Sequence, residues 1–329
     1  MIETLLFACD AILPIILMIV LGYVLKRIGL FPETVRTGLN RICFRVLIPV
    51  LLFRNIYNGN GISAQDLRTV VFVIAFVLVI FGLGICIVRR VTSSPAQRGA
   101  LLQALFRSNF AVIGLSLATS LFGDAGARLA ALLSIVTIPL FNALAVIALT
   151  VFGSDGAHRP TAGHVLHSIV TNPLIIGVFT GIVVILLRAA FVRLGLSFRL
   201  TDIPGLYNAV NTIANAATPL ALLVLGGDFE LSATRHLIKP LAVGVSMRLL
   251  VVPISALLLA HLLFPDFTGA EYAAYLALFG TPVAVSSVVM AAEMGSDKQL
   301  AGQLVVWTTV FSAVTLFLLI VALRSLGIF

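Results

Sequence analysis

Long apolar runs alternate with short polar segments along the whole chain. A helix needs roughly 20 apolar residues to cross a hydrocarbon core of about 30 Å. Runs of that length predict ten transmembrane helices, at 6–25, 38–57, 69–88, 99–122, 127–151, 169–188, 205–227, 239–263, 271–292 and 300–323. The runs are too long for barrel strands, which need about ten residues of alternating pattern. The pattern therefore predicts an all-α polytopic membrane protein.

Two of these runs are interrupted near their midpoints. The fourth places Arg107, Ser108 and Asn109 side by side, with Gly114 soon after, and the ninth contains Gly280-Thr281-Pro282. An uncompensated polar group costs several kcal/mol in hydrocarbon. Such clusters are typical of broken helices that line a cavity, and a pair of them at corresponding places in two halves predicts the binding site of a secondary transporter.

The two halves of the chain share further features in the same order. The first and sixth spans each contain a Pro with a Gly eight residues later, at Pro14–Gly22 and Pro173–Gly181, and Pro49 of the second span corresponds to Pro219 of the seventh. Because each half holds an odd number of spans, the second half is predicted to lie upside down relative to the first. The predicted units are a first five-helix repeat at 1–152, a cytoplasmic linker at 153–168 and a second, inverted repeat at 169–329.

Composition and charge exclude a soluble protein. The chain of 329 residues is 60% hydrophobic and 10% charged, and its mean hydropathy is +1.15; a soluble domain is about 25% charged. The net charge of +8 comes largely from loops beside spans, which indicates contact with membrane lipid and no nucleic-acid partner. More Lys and Arg residues lie on the inner side if the N-terminus is outside, so both termini are predicted to be extracytoplasmic.

The interrupted spans supply the first candidates for substrate binding. The amide of Asn109 donates and accepts hydrogen bonds, which suits a carboxylate, and a half-helix N-terminus would add positive potential. The alternative for Asn109 is a hydrogen bond between helices. Pro282 removes a backbone donor and leaves a carbonyl free, so Thr281 and Pro282 form either a binding hinge or a simple kink.

Other polar residues inside the spans are further candidates. Asn142 follows Pro139 in the fifth span, where it either faces the cavity or compensates for the proline. Asn211, Asn215 and Thr218 of the seventh span are candidates for lining the cavity, or mark the outer end of the span. Ser286 and Ser287 are equally well explained as small packing residues.

Charged residues inside the spans are scarce. Arg107 and Arg248 are candidates for the counter-charge of an anionic substrate, whereas Arg45 lies close enough to the inner face to snorkel. Asp228 and Glu293 end their spans and are interpreted as interfacial, so coupling to H⁺ or Na⁺ stays open. The sequence contains no spacing typical of a metal site, a cofactor site or a catalytic centre.

Four segments resemble the auxin efflux carrier family: LPIILMIVLGYVLKRIGLF at 13–31, LIPVLLF at 47–53, RSNFAVIGLSLATSLFG at 107–123 and IPLFNAL at 138–144. The resemblance implies ten helices in two inverted five-helix repeats, as in sodium–proton antiporters and bile-acid transporters. It implies a scaffold of spans 1, 2, 6 and 7 and a transport unit of the others. It also implies a site where the broken fourth and ninth helices cross, at Ser108–Asn109 and Thr281–Pro282, with Asn142 at the polar position of the fifth helix. The chain departs from the family in lacking a proline at the fourth-helix crossover, near which Gly114 and Ser116 lie.

Bacterial members of this family are described as transporters of malonate and other dicarboxylates. The resemblance therefore implies a secondary carrier of small organic anions that works by alternating access in a bacterial inner membrane. The sequence does not decide between a monomer and a homodimer. One alternative is a sodium-coupled symporter of a bile-acid-like organic anion. Another is a membrane sensor without transport, although no stretch outside the spans is long enough for a soluble output domain.

Overall fold

A computed structural model describes residues 2–58, 67–153, 162–195 and 198–329. Within these ranges the regular structure is helical. The α-helices are α1 Ile2–Arg27, α2 Glu33–Ile42, α3 Ile48–Tyr57, α4 Leu67–Val91, α5 Pro95–Phe106, α6 Leu115–Val151, α7 Ala162–Val170, α8 Pro173–Arg193, α9 Pro204–Asp228, α10 Ala233–His236, α11 Ile238–Ser246, α12 Val252–Leu263, α13 Gly269–Gly280, α14 Ser286–Glu293 and α15 Lys298–Ser325. Three π-helical segments, Cys43–Leu47, Phe110–Gly114 and Met247–Val251, lead into α3, α6 and α12, and Leu200–Asp202 is a 3₁₀ turn.

In the described ranges six continuous helical segments are long and apolar enough to cross a membrane: Leu67–Val91, Phe110–Val151, Pro173–Arg193, Pro204–Asp228, Ile238–Leu263 and Lys298–Ser325. The prediction of an all-α polytopic membrane protein is confirmed. Phe110–Val151 is 42 residues long, about twice what one crossing needs. It bends at Phe122 and Gly123, where Gly123 has a φ of +55°, so it contains parts of two predicted spans. The count of ten spans and the inverted repeat stay predictions, as do the unit boundaries, and half of the predicted linker (154–161) lies outside the described residues.

The helices pack in two groups. In the first group α1 packs on α9, and α3 packs on both α8 and α9. In the second group α13 packs on α6, α5 packs on α4, α6 and α15, and α14 packs on α15. Helix α1 of the first group also packs on α15 of the second. The cavity described below lies between these two groups.

Glycines bring α1 and α9 into close contact. A Cβ added at Gly22 would overlap the carbonyl oxygen of Leu223, and one added at Gly226 would overlap that of Ile19. The two backbones therefore touch without intervening side chains, in the way small residues allow in membrane bundles.

We expect Gly226→Ala to lower the thermal unfolding midpoint of the detergent-purified protein, because the methyl group forces α1 and α9 apart at a cost of about 1–3 kcal/mol. Gly82→Ala is the matched control. Gly82 also lies inside a helix but has open space around it, so the same change there should raise the midpoint slightly. Equal midpoints for the two variants would contradict the packing.

Two of the π-helical segments precede prolines and hold arginines. Cys43–Leu47 precedes Pro49, and Met247–Val251 precedes Pro253. A proline lacks the backbone N–H and crowds the carbonyl four residues earlier, and a wider π turn relieves that crowding. Such turns change the direction of the side chains that they carry. Arg45 lies in the first segment and is exposed, whereas Arg248 lies in the second and is fully buried.

Candidate functional site at two helix interruptions

The backbone leaves the helical conformation at two places that lie in contact. Helix α5 ends at Phe106, Arg107 is extended (φ −94°, ψ 111°), and helical structure resumes at Phe110. Helix α13 ends at Gly280, and α14 begins at Ser286. Each of these helices is too short to cross the bilayer alone, since 12 residues span about 18 Å. Both interruptions fall inside the two spans that the polar clusters single out.

The two interruptions are joined through their backbones. Ser108 and Val283 form an antiparallel bridge pair, and the N–H of Asn109 donates to the carbonyl oxygen of Pro282 at 2.7 Å. The structure thus brings Ser108, Asn109, Thr281 and Pro282 together although more than 170 positions separate the pairs. Backbone groups freed from both helices satisfy one another, as a non-helical stretch at membrane depth requires.

The second interruption follows from Pro282. A residue before proline avoids the α conformation, and Thr281 is extended with a ψ of 153°. Its hydroxyl donates to the carbonyl of Ala277 at 2.9 Å, and the N–H of Val283 donates to the Thr308 hydroxyl at 3.1 Å. No proline marks the first interruption, yet α5 ends there too.

A cavity lies beside the joined interruptions, between the two helix groups. Its walls come from α3 and α9 on one side, and from residues 107–112, α6 and residues 284–286 on the other. The polar residues that line it are Asn55, Arg107, Ser108, Asn109, Thr137, Asn142, Thr218 and Ser286. Apolar side chains such as Ile48, Leu52 and Phe141 form the rest of the wall.

Arg107 provides the charge of this cavity and is only 3% exposed. Its guanidinium donates to Asn142 Oδ1 at 2.8 Å, to Ser286 Oγ at 2.9 Å and to Gln103 Oε1 at 3.2 Å, and it also contacts the sulfur of Met290. Every one of these partners is neutral. Among the residues that the structure describes, no carboxylate pairs with Arg107. A buried positive charge therefore lines the cavity without a counter-charge.

Two neighbouring polar atoms also lack partners. Ser108 Oγ and Asn109 Nδ2 are buried and make no hydrogen bond to the described residues. A buried polar atom without a partner costs about 1–3 kcal/mol, and such groups are rare in native structures. Both atoms are donors and both residues line the cavity, so an acceptor in the cavity would satisfy them.

Four residues predicted to bind the substrate or to supply its counter-charge lie outside the cavity wall, namely Gly114, Arg248, Thr281 and Pro282, although the last two belong to the joined interruptions beside it. Gly114 is buried in the π-helical segment, where a Cβ would overlap the ring of Phe110, a residue that does line the cavity. Arg248 is 0% exposed and donates to the backbone carbonyls of Leu278, Phe279 and Thr281, with its Nε–Thr281 O distance at 3.1 Å. Its Nη1 has no partner in the described chain. Arg248 therefore binds the carboxyl end of α13, where a cation interacts favourably with the helix dipole.

The polar residues of α9 lie along a path to the cavity. Thr218 lines the cavity itself, and Asn211 lines an adjoining cavity that shares Asn55 with it. The oxygen of Asn215 accepts a hydrogen bond from Arg54. The adjoining cavity is lined by residues at the end of α3, the end that is predicted to face the extracytoplasmic side.

Polar contacts join the two helix groups at the opposite end of the same interface. Asp228 pairs with Arg36 at 2.6 Å and with Lys298 at 3.7 Å, and Asn40 Nδ2 donates to Glu293 at 2.8 Å. Lys298 and Glu293 belong to the second helix group, whereas Asp228 lies at the end of α9 in the first. These contacts join the two groups at the side predicted to be cytoplasmic.

Ser286 and Asn55 belong to the cavity wall but not to the residues singled out from the sequence as binding residues. Ser286 is equally well explained as a packing residue when only its span is known, yet it accepts a hydrogen bond from Arg107. Its position four residues after Pro282 is the signal that points to it. Asn55 lies near the end of a span, where an amide has no special meaning in the sequence.

Comparisons with known proteins agree with this architecture. A family described as "Membrane transport protein" matches residues 7–320. A protein named "Uncharacterized transporter" from Methanothermobacter thermautotrophicus is 23% identical over 316 residues, covering 93% of this chain and 95% of that protein. The family match spans nearly the whole chain. The chain therefore belongs to this membrane transport protein family, that of the auxin efflux carriers, and is a multi-pass transporter rather than an enzyme.

Proposed function

We propose that the protein is a secondary carrier of small organic anions, such as malonate and other carboxylates, across the bacterial inner membrane. The observation that carries this proposal is the Arg107 guanidinium, which lines the cavity without a carboxylate partner in the described chain. Hydrogen bonds between a guanidinium and a carboxylate are short and about twice as strong as neutral ones. A substrate carboxylate would thus supply the missing counter-charge.

The neighbouring groups favour an anion over a cation or an apolar solute. Ser108 Oγ and Asn109 Nδ2 are unpaired donors, and the Ser286 hydroxyl, which accepts from Arg107, keeps its own hydrogen for a ligand. Carboxylate oxygens accept several hydrogen bonds at once. A cation would meet like charge, and an apolar solute would leave these donors unsatisfied.

Alternating access is supported by where the cavity lies. The two helix groups contribute opposite walls, so a displacement of one group against the other would open or close the cavity. At one end of this interface an adjoining cavity is lined by Asn211, and at the other end the contacts of Asp228 and Glu293 join the two helix groups. We propose that these contacts separate when the substrate is released to the cytoplasm, with both termini on the extracytoplasmic side.

Uptake of labelled malonate into proteoliposomes tests the proposal, with Asn109→Ala beside the parent. We expect the apparent affinity of Asn109→Ala to fall about tenfold or more, since a hydrogen bond to a charged group contributes about 1.5–3 kcal/mol. Asn208→Ala is the control, because Asn208 is exposed on α9 and lines no cavity described above. Runs with and without sodium, and with and without a pH gradient, separate Na⁺ coupling from H⁺ coupling.

Unchanged uptake by Asn109→Ala at several malonate concentrations would remove this residue from the site. Absence of uptake of any mono- or dicarboxylate by the parent, under all of these gradients, would contradict the anion carrier itself. Accumulation of a bile-acid-like anion only with sodium would favour the symporter instead.

A further inference from the structure

Arg45 is a charged side chain on a surface that otherwise suits lipid. It lies in the Cys43–Leu47 segment, about two turns into the second predicted span, and its side chain is exposed. Its neighbours Ile42 and Val46 are 51% and 48% exposed, as expected of a helix face in contact with acyl chains. Among the described residues Arg45 has neither a hydrogen bond nor an ion pair. A charge in that position needs an anion or water at the interface.

Arg45 lies at one end of a surface groove between α3 and α8. The groove is lined by Phe44, Arg45, Pro49, Val50, Phe53, Thr171, Pro173, Ile176, Gly177 and Thr180. The two helices cross closely because a Cβ at Gly177 would overlap the carbonyl oxygen of Pro49. From Arg45 to Phe53 the groove follows α3 for about 12 Å. Arg45 makes one end charged. The hydroxyls of Thr171 and Thr180 donate to the carbonyls of His167 and Ile176, and the remaining wall is apolar.

We infer that this groove binds one anionic phospholipid. The lipid phosphate would contact the Arg45 guanidinium, and one acyl chain would follow the apolar wall formed by Pro49, Phe53 and Ile176. Basic pockets between transmembrane helices recognise anionic headgroups in this way, and a guanidinium forms strong paired hydrogen bonds with phosphate. This site is separate from the substrate cavity and does not depend on the proposed transport function.

A second copy of the chain fits this groove less well. A two-fold contact would bring the same surface of the partner to it, and that surface offers another Arg45 rather than an anion. The charge of Arg45 and the apolar length of the groove match the two parts of a phospholipid.

Native mass spectrometry of the full-length protein in detergent tests the inference, with phosphatidylglycerol and phosphatidylcholine of identical acyl chains as probes. We expect the parent to retain one phosphatidylglycerol in preference to phosphatidylcholine. Arg45→Gln should weaken phosphatidylglycerol binding about tenfold and remove the preference, whereas Arg45→Lys should keep part of it. Arg90→Gln is the matched control, since Arg90 is an exposed arginine outside the groove, and it should keep the preference in full.

The acyl-chain part of the inference needs a second variant. Ile176→Trp fills the apolar wall, so we expect it to weaken retention of both lipids while the Arg45 charge is intact. Retention of phosphatidylglycerol by Arg45→Gln at the parental level would overturn the site, as would an equal loss in Arg90→Gln. A shift from dimer to monomer in Arg45→Gln, seen in the same spectra without added lipid, would instead assign the groove to a second copy of the chain.

Discussion

Arg107→Gln is expected to weaken binding of a carboxylate substrate by about 30-fold or more, because truncating one partner of a buried charge pair costs about 2–5 kcal/mol. Arg107 is the only charged residue among the described residues that line the cavity, so no other cation of the wall replaces it. Isothermal titration with malonate and uptake into proteoliposomes measure the loss. Arg107→Lys keeps the charge without the planar fork of donors and should show an intermediate loss.

The stability of Arg107→Gln separates a binding role from a structural one. Burying a charge without a counter-charge costs free energy, and glutamine removes that charge. Glutamine also takes donors away from Gln103, Asn142 and Ser286, which costs free energy, so the two effects oppose each other. We therefore expect the thermal unfolding midpoint to stay close to that of the parent while binding is lost. Arg235→Gln, at an exposed arginine, should leave both quantities unchanged. A large fall in the midpoint of Arg107→Gln with normal malonate affinity would show that Arg107 braces the fold and does not bind substrate.

The helical fold and the places of the interruptions could be predicted from sequence because each depends on local chemistry. An apolar run of about 20 residues has few alternatives to a membrane helix, and three polar residues at 107–109 cannot stay inside an uninterrupted one without compensation. Pro282 fixes the second interruption through its missing N–H. The backbone contacts at these two places follow no local rule, since Asn109 and Pro282 are distant in sequence.

The roles of the arginines could not be predicted in the same way. Position along a span gives the depth of a side chain in the membrane, but its direction depends on how the helix is turned toward its neighbours. The π turns before Pro49 and Pro253 alter that direction. Arg45 points outward from one of these turns and Arg248 reaches the end of α13 from the other. Arg107 lines the cavity from the extended backbone that follows α5. From the sequence alone, Arg107 and Arg248 are equal candidates for the counter-charge of an anionic substrate.

The structure separates these two arginines by their partners, and Arg248→Met tests the separation. Methionine keeps most of the apolar stem but removes the donors that reach the carbonyls of Leu278, Phe279 and Thr281. Each buried carbonyl left without a donor costs about 1–3 kcal/mol, so we expect the three of them together to cost about 3 kcal/mol or more. The thermal midpoint in detergent should fall by about 5 °C or more.

Hydrogen exchange adds a local measurement to the thermal one. In Arg248→Met we expect faster amide exchange near the end of α13, because this helix loses the cation that stabilises its carboxyl terminus. Arg324→Met is the control, since Arg324 is exposed near the end of α15, and it should unfold at the parental temperature. A variant Arg248→Met that unfolds like the parent but loses malonate binding as Arg107→Gln does would make Arg248 the counter-charge after all. Arg107→Gln is expected to change malonate binding and Arg248→Met to change the thermal midpoint. Titration and unfolding of this one pair of variants therefore decide between the two roles.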